Sequence, residues 1–186
     1  MAVDTDFALA GADGIASVAP HGTAAPADMN ALTTPWVDLG ALSTDGLTHA
    51  MGETRTAFKR WGSIVPFKTV VTDQTATFDV TFLESNAHVL GLYYKTADPT
   101  PDATTHIVTV EPDTTGSIDL RAFTFDVIEG TNHLRFYVPK GEVTQRKDVV
   151  YKTDGIVEYG VTITAYVDDT VGYSMQLLGL LDANLS

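Results

Sequence analysis

The chain has 186 residues, 44% hydrophobic and 19% charged, with a net charge of −13 and no cysteine. That length supports one domain with a good core plus extensions, and the composition excludes a fully disordered chain. The missing cysteines exclude disulfides and thiolate chemistry, and the deficit of Lys and Arg opposes tight binding to nucleic-acid phosphates.

Residues 1–34 are rich in Ala, Gly, Asp, Thr and Pro, and they hold four acids but no Lys or Arg. They show no sustained period of two or of 3.6, so they read as an extended N-terminal arm. The first residues carry acids where an export signal needs basic ones, and no apolar run follows, so export by that route is not expected. Gly11 and Gly14 lack the Lys-Ser/Thr pair of a phosphate loop. No stretch of about 18 apolar residues occurs anywhere, so no membrane-spanning helix is expected.

Strand patterns begin at Trp36. Val37, Leu39 and Ala41 share a face, and Asp45-Gly46 reads as a hairpin-type turn. Over residues 75–82, Ala76, Phe78, Val80 and Phe82 alternate with Thr77, Asp79 and Thr81. Residues 120–128 repeat the pattern, with Phe123, Phe125 and Val127 opposite Thr124 and Asp126, and Leu134, Phe136 and Val138 continue it. The longest run is 156–167, where Val157, Tyr159, Val161, Ile163, Ala165 and Val167 face away from Glu158, Thr162 and Thr164. Twelve residues of strand would reach roughly 40 Å. A single helix is expected where Leu83, Ala87, Leu90 and Tyr94 form a stripe, with Ser85 as its N-cap. The domain thus spans 35–170 and is mostly β, an antiparallel sandwich or half-barrel with one flanking helix. Residues 171–186 are apolar but short, and read as a final strand or a docking segment.

Catalytic and metal motifs are not evident. His21, His49, His88, His106 and His133 are scattered, and Asp168-Asp169 and Asp4/Asp6 read as solvated acids rather than a calcium loop. There is no Gly-x-Ser-x-Gly elbow, so neither catalytic residues nor a cofactor is expected. One basic aromatic cluster breaks the acidic trend: Arg55, Phe58, Lys59, Arg60 and Trp61. It reads either as a subunit contact, since Trp and Arg are enriched at interface hot spots, or as a core tryptophan beside a solvated edge. The same choice applies to Lys140, Arg146, Lys147 and Lys152.

Residues 36–94 carry a more specific signal. WVDLG at 36–40, STDGLT at 43–48, FKRW at 58–61, TVVTDQTATF at 69–78, FLESN at 82–86 and LYY at 92–94 follow in that order. This order resembles the major tail tube proteins of long-tailed phages, notably those of actinobacterial hosts. The resemblance implies a non-enzymatic structural protein of the virion tail, assembled in the bacterial cytoplasm as stacked rings, typically of six copies. It implies further contacts with tape-measure, tail-tip and terminator proteins, and DNA passing through without specific binding. Asp79, Asp126 and Glu158, on the polar faces of the strands, are then candidates to line that conduit. A tail terminator, a capsid decoration protein and a carbohydrate-binding sandwich are the alternatives.

Overall fold

The computed structural model describes residues 9–180. Its elements are strands β1 (Asp13–Pro20), β2 (Val37–Asp38), β3 (Thr48–Lys59), β4 (Pro66–Phe82), β5 (Arg121–Glu129), β6 (Asn132–Arg146), β7 (Tyr159–Ala165) and β8 (Gln176–Leu180). One helix, α1 (Ala87–Tyr94), follows β4. All strands join one antiparallel sheet in the order β2-β1-β5-β6-β7-β4-β3, and β8 also pairs with β6.

The long strand β6 belongs to two wings of this sheet. Its first part pairs with β5 and β8, and its last part, from Gly141 to Arg146, pairs with β7. The wings curl toward each other, so Phe78 of β4 stacks on Phe125 of β5 at 5.0 Å although the two strands are not neighbours. The core between the wings holds Phe82, Phe123, Val138, Val161 and Ile163, the apolar sides of the alternating runs. The sheet is not closed. A single bridge, Leu42 to Phe82, crosses the gap between residues 37–43 and the end of β4.

The FLESN motif secures that crossing. Glu84 accepts a hydrogen bond from the Ala41 N–H at 2.9 Å, and Asn86 Nδ2 donates to the Leu39 carbonyl at 3.0 Å. Asn86 also caps α1 by accepting from the Val89 N–H, so the cap is one residue beyond the expected Ser85. Leu83 precedes the helix, whose buried side chains are Val89 and Leu92 rather than the expected stripe.

The N-terminal region differs from its expectation. Residues 13–20 form a strand inside the sheet, paired with β5 from Asp13↔Ile128 to Pro20↔Arg121, so a boundary at 34 cuts through the domain. Ala16, Ser17, Val18 and Ala19 are all buried, and a strand buried on both faces shows no alternation to read. Its second face is covered by residues 21–36. Tyr137 donates to the Thr23 carbonyl at 2.6 Å, and Trp36 meets Tyr137 edge-on at 6.1 Å. β7 is shorter than expected, with seven residues. The longest strand is β4, with seventeen.

Candidate functional site

The surface that stands out is built from β3 and β4. β4 pairs with β7 only from Ala76 to Phe82, so residues 66–75 have β3 as their sole neighbour. These residues and the facing part of β3 form a two-stranded arm with solvent on both sides. Ten residues of strand carry the tip about 34 Å beyond the body. Thr72 is the extra residue where the register shifts between Thr54 and Arg55, a bulge that adds twist.

At the tip, Gly62 takes φ +77°, a left-handed conformation that glycine adopts without strain, and the Ser63 N–H returns to the Arg60 carbonyl at 3.1 Å. Trp61 is 104% exposed and Ile64 89% exposed. Val65, Phe67, Val71 and Phe58 are exposed as well. The sequence drew attention to Arg55, Phe58, Lys59, Arg60 and Trp61, and all five lie on this arm, with Trp61 outside the core. Arg55 pairs with Glu53 at 2.6 Å, whereas no acid among the described residues pairs with Lys59, Arg60 or Lys68. The apolar half of the site, from Ile64 to Val71, was missed. Its signal is a short apolar run interrupted by Pro66, without the alternation expected of a half-buried strand.

At the base of the arm, His49 stacks on Phe78 at 4.6 Å, and its Nε2 is buried without a partner. Burial holds its pKa below the usual imidazole value.

The three candidate conduit acids separate. Glu158 is exposed just before β7. Asp79 is half-buried on β4 and accepts a hydrogen bond from the Thr162 hydroxyl. Asp126 is a correction: it is buried and bound by Arg135 through two contacts of 2.7 Å, so it faces no open surface. Arg135 spends its other donors on the carbonyls of Asp28 and Asn30, which pins residues 28–30 over β5 and β6. Asp126 therefore belongs to the covered outer face of the β1–β5–β6 wing.

The second basic group does not form one patch. Arg146 donates to the Tyr93 carbonyl, and the Tyr93 hydroxyl donates to the Lys147 carbonyl at 2.6 Å, so both positions dock α1. The histidines are likewise dispersed, with His21 against Asp168 at 2.7 Å and His88 against Asp98 at 2.5 Å. Asp168, expected in solvent, is buried, and bonds from the Thr170 N–H and from His21 lower its pKa. Asp4 and Asp6 lie outside the described residues. Among the described residues no three His, Asp or Glu side chains gather as a metal site, and no helix is long and apolar enough to cross a membrane.

Comparison with known proteins supplies the context for this arm. No curated protein matches the chain. Among solved structures, a chain in "Cryo-EM structure of the anti-feeding prophage (AFP) baseplate, 6-fold symmetrised" aligns over 96% of this chain and 97% of its own, with 8% identity and a TM-score of 0.46. The family described as "Phage tail tube protein" matches residues 1–178. A β-rich fold with an unsupported arm is thus joined to a match over nearly the whole length of the chain, and the chain belongs to the phage tail tube protein family.

Proposed function

We propose that the protein assembles with copies of itself into rings, six-membered by analogy with its family, and that the rings stack into a tube through which phage DNA is ejected. The β3–β4 arm carries this reading. An isolated two-stranded hairpin is marginal in water, and an arm that exposes large apolar side chains and open strand edges has much to gain from burial against another subunit. Tape-measure, tail-tip and terminator proteins would then meet the bore or the ends of the stack. No catalytic step is assigned to the chain.

The bore must pass DNA without holding it. Double-stranded DNA carries about one charge per 1.7 Å, and fixed cations would retain it by counterion release. Asp79, opposite Thr162 and beside the Thr77–Thr164 pair, and the exposed Glu158 are the side chains proposed to repel it.

Sedimentation velocity and negative-stain imaging of the purified protein, alone and with a tail-tip complex, test the assembly. Rings or tubes are expected for the wild type, and Trp61→Ala should reduce them while leaving the melting temperature unchanged. A chain that stays monomeric under all of these conditions refutes the reading. In tails carrying Asp79→Lys and Glu158→Lys, ejection should slow most at low salt, where screening is weakest. Normal ejection there would place both acids outside the bore.

A further inference from the structure

We propose that a cleft at the base of the arm is the receptor for the arm tip of a second copy of this chain. The inference rests on the self-assembly reading above and adds the surface that receives the arm. The cleft lies where the sheet fails to close, between the start of β1 and the 41–47 turn, and has a volume of about 590 Å³. Ile15, Leu42, Leu47 and Val127 supply apolar wall, and Asp13 and Asp45 stand at the rim, both exposed.

Three observations fit this cleft to that tip. The first is placement. The Ser43 N–H bonds the Thr81 carbonyl and Leu42 bridges Phe82, so the 41–47 segment sits at the C-terminal end of β4. The tip leaves from Pro66, at the other end of the same strand. Donor and receptor thus lie at opposite ends of one hairpin. A contact between two different surfaces is heterologous and propagates from copy to copy, as axial stacking requires.

The second is charge. Residues 54–72 hold four of the eleven Lys and Arg and none of the 24 acids. The tip is therefore a basic island on a strongly acidic chain. Lys59 and Arg60 directly precede Trp61, and Asp13 and Asp45 offer them carboxylates at the cleft. Opposite charges at the two ends steer the encounter and disfavour tip-to-tip pairing.

The third is size and chemistry. The cleft falls within the ~300–1,000 Å³ typical of sites that bury a small ligand. It has room for an indole with a neighbouring aliphatic side chain, and Trp61 and Ile64 are the most exposed apolar groups at the tip.

The chain has no cysteine, so introduced pairs report proximity without background. Ser63→Cys at the tip and Thr44→Cys at the cleft, placed in one chain and oxidised during assembly, should give a ladder of covalent oligomers on a denaturing gel. Ser63→Cys with Ala103→Cys, on the exposed loop between α1 and β5, should give none. Asp13→Lys with Asp45→Lys should lower ladder formation about tenfold or more, and copies carrying Lys59→Glu and Arg60→Glu should restore it. Circular dichroism of each variant confirms folding. Particles that sediment and image as stacked rings but yield no ladder, or a ladder indifferent to both charge reversals, overturn the cleft while leaving self-assembly intact. A chain that never assembles overturns both.

Discussion

Asp126→Ala removes the counter-charge from a guanidinium that has no route to water. The Arg135 and Asp126 side chains are 2% and 3% exposed. Two 2.7 Å contacts join them, and the remaining bonds of the guanidinium run to the carbonyls of Asp28 and Asn30 at 2.8 and 3.1 Å. Breaking a buried pair from one side strands a charge and costs about 3–5 kcal/mol. At about 2–4 °C per kcal/mol for a chain of this size, the melting midpoint should fall by roughly 6–20 °C. Replacing both members by apolar residues leaves no orphan, so Asp126→Leu with Arg135→Met should recover most of the loss. Urea unfolding of the wild type, both single variants and the double variant gives the coupling from a double-mutant cycle. A loss below about 1 kcal/mol for Asp126→Ala, the scale of an exposed pair, would refute the claim that residues 21–36 seal this face from solvent.

Three further outcomes are expected. Ile163 is 0% exposed at the centre of β7, so Ile163→Asp should bury an unpaired carboxylate, and unfolding midpoints should drop sharply if the protein is recovered folded at all. Amide exchange over residues 53–72 should be fast in the free subunit and slow in the assembly, because the arm buries little by itself; equal protection in both would contradict its role as a contact. Burial depresses the pKa of His49, so the unfolded chain binds the proton more readily than the folded one. The resulting stability is fully present above the unfolded value of about 6.5 and is lost as pH falls through the lower folded value. His49→Phe should flatten that part of the stability profile, as measured by urea unfolding across the window, and an unchanged slope would count against the buried imidazole.

The parts of the fold legible in the sequence are those with one face in the core and one in water. Phe78, Val80 and Phe82 alternate with Thr77, Asp79 and Thr81 because the sheet is dry on one side there, and the same logic exposed β5 and the start of β6. Asp126 followed that alternation and was still misplaced. The pattern assigns a side chain to a face, but not what covers the face, and here residues 21–36 return over it. β1 was missed for a related reason, since covering both faces removes the period. In the arm the rule fails in the opposite sense, because Ile64, Val65 and Phe67 are apolar and exposed. Only the basic aromatic cluster from Arg55 to Trp61 hinted at that surface, and the cleft that includes Asp13 and Asp45 joins segments too distant in sequence for any local pattern to show.

The pairing of β1 with β5 also orders events in time. Asp13 lies opposite Ile128, so the first strand made, which meets only the two residues of β2 early, must wait for more than a hundred further residues before its main partner exists. The β3–β4 hairpin, with its short turn, can close long before that. A nascent chain therefore has its arm early, while the cleft beside β1 exists only once β5 has emerged and the sheet has set. On the proposed contact, the basic tip would find no complement on an unfinished copy, and growth would be confined to chains whose synthesis has passed β5.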